Sequence, residues 1–596
     1  LSNGYQKDNR NNINTTLRLN YDLSSLLTKG LSVHGSIAYD SYYYSRKKYS
    51  KTFPYYLARR DAEDPDYIYL IPQSEESIWS VSTGWDKNRK VYMEFGIDYN
   101  RTFGLHKTTA LILYNQSKYY SPSLQYYVPN AYQGLVGRLT YEYASRYLAE
   151  FNMGYNGTEN FAKGKRFGFF PAVSLGWVIS EEKFFPKNNI VKYLKVRGSY
   201  GEVGNDQIGG DRFLYLPSSY GAASDSGVNK YNFGLASNPY TSLMIVENKI
   251  GNPDLTWEKA KKMNVGVDIN LFNNCLTASF DIFKEKRNNI LANRSTSPMI
   301  IGANLPAYNF GEMENRGWEM DLNFRHHIQD FHYWARFNYS FARNEIIYMD
   351  EVQKRYDYQM TTGRRKNQFF GLIFDGYYNS WEEINALDRP KSSWSGNQLQ
   401  PGDVKYVDVN QDGVIDDYDM VPIGYTPVPE IIYGFSFGAQ YKGFDFSILF
   451  QGADNVSIKY FGRSMWPFAK GEESAKSLIK ERWTQERSEA GEKITFPRLS
   501  LNPNGETDHN YRPSTLWIRD ASYLRLKNLE VGYTFTGGFV KRLNLNSVRL
   551  YFNGSNLFTW TDVVDLDPEA PSRSGNVEIN TYPLQKVYNI GLNINF

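Results

Sequence analysis

Apolar and polar residues alternate one for one over long stretches of this chain. Tyr588, Ile590, Leu592, Ile594 and Phe596 interleave with Asn589, Gly591, Asn593 and Asn595. Met263, Val265, Val267, Ile269 and Leu271 interleave with Lys262, Asn264, Gly266, Asp268 and Asn270, and Trp318, Met320, Leu322 and Phe324 with Glu319, Asp321, Asn323 and Arg325. A period of two puts each apolar set on one face of a β-strand and each polar set on the other. Such segments number about 17 and run for roughly ten residues, the length a tilted strand needs to cross a bilayer. Strands of soluble sandwiches are nearer to about five or six residues. The expected class is all-β, a transmembrane antiparallel β-barrel.

The links between these segments alternate in length. Short ones such as Phe272–Cys275, His326–Asp330 and Lys442–Gly443 alternate with long ones: Glu202–Lys259, Arg343–Glu430, Gly452–Asp520 and Thr559–Gln585. All long links then lie at one end of the sheet, as in outer-membrane barrels with short periplasmic turns and long extracellular loops. Counting back about 17 strands from a periplasmic C-terminus puts residue 1 outside. Bacterial barrels have even strand numbers and start in the periplasm, so an odd number of strands is expected upstream. The pattern reads as one domain over 1–596, with long outside loops at 343–430 and 452–520. The best helix candidate, ESAKSLIKERWTQERSE (Glu473–Glu489), falls in the second loop.

Composition narrows the class further. A net charge of +3 on 596 residues argues against a polybasic nucleic-acid binder. Aromatics at 16%, with 49 tyrosines, suit strands and membrane interfaces. The single cysteine, Cys275, excludes an intrachain disulfide and a cysteine-based metal site. His326, His327 and His332 flank a tight turn, which favours a structural role over a metal. No apolar window is long enough for a membrane-spanning helix. No motif-spaced nucleophile, paired carboxylate or phosphate loop is present, so an enzyme is not expected.

Candidate chemistry sits in PGDVKYVDVNQDGVIDDYDMVPIG, residues 401–424. Asp408, Asn410, Asp412, Gly413, Val414, Asp416 and Asp419 occupy positions 1, 3, 5, 6, 7, 9 and 12 of a calcium loop. The ligands would be the carboxylates of Asp408, Asp412, Asp416 and Asp419, the amide oxygen of Asn410 and the carbonyl of Val414. Gly413 would make the sharp turn and Ile415 would pack inward. Asp419 stands where a longer Glu usually binds in bidentate fashion, which weakens that contact. Four clustered carboxylates repel one another without a cation; the alternative is an Asp/Asn-rich surface turn.

Several stretches resemble SusC-like TonB-dependent outer-membrane transporters. They are FAKGKRFGFFPAVSLGWVISEEKFF (Phe161–Phe185), LKVRGSYGEVGND (Leu194–Asp206), NPDLTWEKAKKMNVGVD (Asn252–Asp268), ENRGWEMDLNF (Glu314–Phe324) and the 401–424 loop. The series continues with ERWT (Glu481–Thr484), IRDASYLRLKNLEVGYTF (Ile518–Phe535), VRLYFNGSNLFTW and YNIGLNINF. The resemblance runs from about Gln133 to the end and weakens before it. It implies a barrel of about 22 strands, an internal plug, a TonB box and a SusD-like surface lipoprotein over the outside loops. A further five strands beyond the 17 would make 22, an odd deficit in agreement with the sidedness argument.

The function so implied is energised import of a bulky nutrient, an oligosaccharide or a peptide, glycan uptake among the expectations. The alternative is a passive porin, separated from the importer by a plug and TonB box. Tyr92, Trp334 and Tyr551 are lumen-phase rings that could stack on a sugar, although packing against the plug is the favoured role. Trp177, Trp318 and Phe596 read as interface-girdle residues facing lipid.

Overall fold

The computed structural model describes residues 4–596 except 62, 65, 125–126, 208–211, 217–220, 223–229, 236–239, 244, 247–249, 297–304, 395–398, 461–465, 469–476, 501–507, 565, 570–575 and 578–583. Seventeen long strands make up its main antiparallel sheet. They are β1 (Gly4–Asp22), β2 (Leu31–Ser50), β3 (Ser80–Phe103), β4 (His106–Tyr120), β5 (Asn130–Tyr143), β6 (Tyr147–Thr158), β7 (Phe167–Val178), β8 (Val191–Asn205) and β9 (Glu258–Leu271). They continue as β10 (Leu276–Ala292), β11 (Tyr308–Ile328), β12 (Phe331–Tyr348), β13 (Ile431–Tyr441), β14 (Phe444–Asp454), β15 (Tyr523–Phe535), β16 (Ser547–Thr561) and β17 (Val587–Asn595). The number matches the count expected from alternation. The lengths do not: β3 has 24 residues and β2 has 20, where roughly ten were expected. Their ladders run past the apolar band, where alternation between apolar and polar side chains stops but backbone pairing continues.

The chain forms two compact units, one of residues 1–144, 148–173 and 203–257, the other of 145–147, 174–202 and 258–596. In the first, β1 to β5 pair each with the next as an up-and-down meander. In the second, β9 to β17 do the same. Links 23–30, 104–105, 272–275, 329–330 and 442–443 are short, whereas 51–79, 206–257, 349–430, 455–522 and 562–586 are long. The long/short alternation read from the sequence is therefore present. Gly443 sits at φ +91° in its tight turn, where a Cβ would meet the Thr534 carbonyl at 2.7 Å.

One face of each meander is apolar and open. In the first unit Ile37 lies opposite Met93, and Ile97 opposite Ile112, all exposed. In the second, Val265 faces Ile282, and Leu550 faces Leu592. Exposed apolar surface on this scale is unstable in water and stable in lipid.

Candidate functional site

The long links of the second unit are packed structures rather than tethers. Leu372, Val404, Tyr406 and Ile415 from 349–430, Trp483, Phe496, Tyr511, Leu516 and Trp517 from 455–522, and Val563 from 562–586 form one buried cluster. Leu372, Val404 and Phe496 are fully buried, and Trp517 is 2% exposed. Backbone hydrogen bonds join the loops directly: the Leu372 amide donates to the Pro513 carbonyl at 2.9 Å, and the Thr515 amide to that of Leu372 at 3.0 Å. Buried polar groups are matched across the loops. The Val404 amide donates to Asn510 Oδ1 (2.9 Å) and Asn510 Nδ2 to Asp403 Oδ1 (2.8 Å). Loops 343–430 and 452–520, read from the sequence as two regions, thus share one core.

The expected helix at Glu473–Glu489 is a correction. Its first residues, to 476, lie outside the described set. The rest is a 3-10 turn, Ser477–Glu481, and a separate five-residue helix, Gln485–Glu489. Trp483 breaks the run, because its ring enters the loop core and its amide donates to the Phe496 carbonyl at 2.8 Å. Thr484 then restarts the helix as its N-cap, accepting from the Arg487 amide.

The calcium-like loop is docked on this assembly. Ile415 is buried in the shared core, and Gly413 turns at φ +82°, both as the spacing suggested. The Lys391 amide donates to the Gly413 carbonyl at 2.9 Å, pinning the loop to the short strand Lys391–Ser392. Asp419 is fully buried and gathers the loop from inside: Oδ1 accepts from the amides of Val409 and Asn410, and Oδ2 from that of Asp416. Burial raises its carboxyl, backbone hydrogen bonds oppose that shift, and the Asp408 charge adds to it. Asn410 Oδ1 accepts from the Asp412 amide, Asp412 Oδ1 from Val414, and Asp416 Oδ1 from Tyr418. Among the described residues no three carboxylate, imidazole or thiolate groups converge on one point. Asp408 nevertheless keeps Oδ1 buried with no hydrogen-bond partner among the described residues, while Oδ2 accepts from the Gly413 amide. That oxygen is the one buried acceptor of the loop left unsatisfied among the described residues, the place a hard cation such as calcium would occupy.

Where the loops meet the strand ends, Glu430 joins three elements, a role no local pattern in the sequence betrays. Its carboxylate accepts two bonds from Arg343 of β12 (2.9 and 2.8 Å), one from Arg365, and one from Asn455 Nδ2 (3.2 Å). Its side chain is 4% exposed. Burial works to raise its carboxyl, but the two guanidinium groups prevail and hold it below the ordinary glutamate value. Beside it a polar cavity of about 380 Å³ opens on Glu285, Arg287, Arg365, Lys366 and Glu430.

Each of the three lumen-phase rings is held by its own strand or the one beside it. Tyr92 donates to Glu94 Oε2 on its own strand at 2.8 Å. Trp334 lies across Gly438 of the neighbouring strand, where a Cβ would meet the indole at 2.7 Å. Tyr551 covers Gly591 in the same way, with Arg549 over its ring at 4.8 Å. Cross-strand glycines thus seat Trp334 and Tyr551 flat on the wall, an arrangement known to stabilise sheets. Around them the polar face is laced with charge: Arg197 bridges Asp268 (3.1 Å) and Asp281 (2.7 Å), and Arg549 bridges Asp445 and Glu530. On the lipid face Trp318 stacks on Tyr339 at 4.7 Å, and Trp177 and Phe596 are exposed.

Residues 1–557 match the family described as TonB dependent receptor-like, beta-barrel. The chain belongs to this family. TonB-dependent receptor P3 of Formosa agariphila is 29% identical over 479 residues, covering 77% of this chain and 45% of that protein. TonB-dependent receptor SusC of Bacteroides thetaiotaomicron is 28% identical over 477 residues, 79% of this chain and 44% of that protein. The chain spans less than half the length of the curated relatives it matches. A solved structure, the RagAB peptide importer in the open-open state, superposes with a TM-score of 0.71 at 20% identity, over 99% of this chain and 61% of that one. The strands therefore form a SusC-like TonB-dependent receptor barrel in the outer membrane of a Gram-negative bacterium. The short links are its periplasmic turns and the long ones its extracellular loops.

Proposed function

We propose that this receptor barrel is part of an energised importer that carries a bulky nutrient, an oligosaccharide or a peptide, across the outer membrane. It works with a SusD-like surface lipoprotein and takes its energy from TonB. The observation carrying this reading is the single aromatic core shared by the three extracellular loops. Loops of a passive porin need no joint hydrophobic core, whereas a partner that docks and undocks needs a platform that keeps its shape. The ionic cavity at Glu285, Arg287 and Glu430 lies at the base of that platform and supplies donors and acceptors for polar cargo. Nothing in the wall changes the cargo covalently; its residues bind, orient and exclude. Mild-detergent extraction of the full-length protein should recover a second lipoprotein in equal amount by mass spectrometry. Recovery of the barrel alone, with uptake intact, would sink the partner reading and restore the porin.

The same reading includes calcium at residues 408–419, held by Asp408, Asn410, Asp412, Val414, Asp416 and Asp419. The ion would neutralise the acidic loop and fix its seat on the platform. Extracellular loops of this type bind with dissociation constants on the order of 10⁻⁴–10⁻³ M. Chelator should therefore speed proteolysis within 391–420 in the wild type, and Asp408→Ala/Asp412→Ala should be cut quickly with or without it. Equal cleavage of the wild type in both conditions would exclude the ion.

A further inference from the structure

In the first unit the carboxylates of β1 to β4 all lie on one face of the wall, while cations occur on both. Register aligns Leu17, Ile37, Met93 and Gln116 across β1 to β4 in the apolar band. Moving toward the extracellular ends, the next rows on the same face are Tyr39–Val91–Lys118, Ser41–Arg89–Tyr120, Tyr43–Lys87, Asn9–Ser45–Trp85 and Lys7–Lys47. Five cations thus climb one face, from the row directly above the apolar band outward along the strands. Every carboxylate of these four strands (Asp8, Asp22, Asp40, Asp86, Glu94, Asp98) falls on the opposite phase, toward the lumen. Lys7, Lys47, Lys87, Arg89 and Lys118 have no carboxylate within ion-pair distance among the described residues. Lys87 instead lies 5.4 Å from the Trp85 ring centroid, and Arg89 4.5 Å from that of Tyr120. Between them runs a groove of about 610 Å³ lined by Tyr39, Tyr43, Trp85, Lys87, Arg89 and Tyr120.

The second unit supplies the contrast. At the corresponding extracellular ends of its lipid face, Lys259 and Lys261 lie near Glu202 (3.7 and 3.9 Å). Lys284 pairs with Glu314 and Lys286 with Glu312, each at 2.9 Å. Cations at this level are neutralised there and left open on β2 to β4. A cation cluster flanked by interface aromatics, with an apolar band directly beneath, suits an anionic headgroup whose acyl chains continue down the wall.

The geometry points to a binding site on the outward face of β2 to β4 for a phosphorylated glycolipid of the outer leaflet, the bis-phosphorylated disaccharide of lipopolysaccharide. Successive cations on one strand are about 7 Å apart and neighbouring strands about 4.8 Å, so Lys87, Arg89 and Lys118 can converge on one phosphate. The aromatic rings would cover the sugar, and Ile37 and Met93 would meet the acyl chains.

The test uses full-length protein in mild detergent, offered bis-phosphorylated lipid A or the same lipid with its phosphates removed, with bound lipid counted by native mass spectrometry. Wild type should retain the phosphorylated form at least about tenfold better than the dephosphorylated one, and about tenfold better than Lys87→Gln/Arg89→Gln/Lys118→Gln. Lys259→Gln/Lys261→Gln/Lys286→Gln should retain it as the wild type does. Equal retention of the two lipids by the wild type overturns the assignment even if the triple variant fails to fold. Equal retention by wild type and folded triple variant overturns it as well. Displacement of the lipid by millimolar inorganic phosphate would replace the glycolipid with a simple anion site.

Discussion

Trp517→Ala is expected to open the extracellular platform while leaving the strand wall folded. The indole is 2% exposed and packs edge-on against Phe496 (centroids 5.4 Å apart) and at a tilt against Tyr511 (5.3 Å). Its Nε1 donates to the Asn510 carbonyl at 2.8 Å, so truncation removes a large ring and also strips a buried acceptor of its partner. Loss of a buried tryptophan costs about 3–5 kcal/mol. Here the cost falls on the loops, whose core contains no residue from the lipid-facing rows. Protease added to intact cells should cut the variant within 349–430 and 455–522, while the heat-modifiable gel mobility of a folded barrel persists. Trp560→Ala is the matched control, because that ring is 53% exposed on β16 and its loss should not change loop cleavage. Wild-type resistance of the Trp517 variant would mean the loops are held by their strand anchors and not by their core. Unfolding of the barrel as well would show that platform and wall form one cooperative unit.

The wall was legible in the sequence and the platform largely was not, for a physical reason. A strand facing lipid must repeat its apolar residues every second position, so Met263 to Leu271 and Tyr588 to Phe596 announce themselves within a few residues. The platform core draws Leu372, Phe496, Trp517 and Val563 from segments far apart in the chain, and no local period links them. Gly413 and Ile415 were legible because the calcium-loop spacing is a local signal. Glu473–Glu489 misled because its composition favours helix while Trp483 is recruited to a distant core. The cation rows on β2 to β4 were equally hidden: Lys47, Lys87 and Lys118 fall on one face only once register is known. Trp334 and Tyr551 had the right phase, but their glycine seats lie on neighbouring strands.

Glu430 should make the platform sensitive to acid, and Glu430→Gln should remove that sensitivity. The carboxylate joins Arg343 on β12, Arg365 in the loop and Asn455 after β14, while its own carbonyl accepts from the Ala342 amide at 2.8 Å. Its carboxyl is held below the ordinary value in the folded protein, so folding favours the ionised form. The stabilisation is complete above the ordinary glutamate value of about 4.3 and is lost as pH falls from there through the depressed folded value. Removing one partner of a buried ion pair costs about 3–5 kcal/mol. Arg343 is 40% and Arg365 23% exposed, so water relieves part of the uncompensated charge, and roughly 2–3 kcal/mol is expected for Glu430→Gln. Hydrogen exchange across 426–430 and 455–457 should accelerate in the variant at neutral pH. In the wild type the same acceleration should appear only in acid, below the ordinary glutamate value. Glu492→Gln is the control: its partner Arg487 is 2.9 Å away, but Glu492 is 52% exposed, and a shift within about 0.5 kcal/mol is expected. An unchanged acid profile in Glu430→Gln would assign the acid response to other carboxylates of the platform, Asp567 first among them: burial works to raise its carboxyl, but its hydrogen bond with Arg525 helps hold it below the ordinary aspartate value.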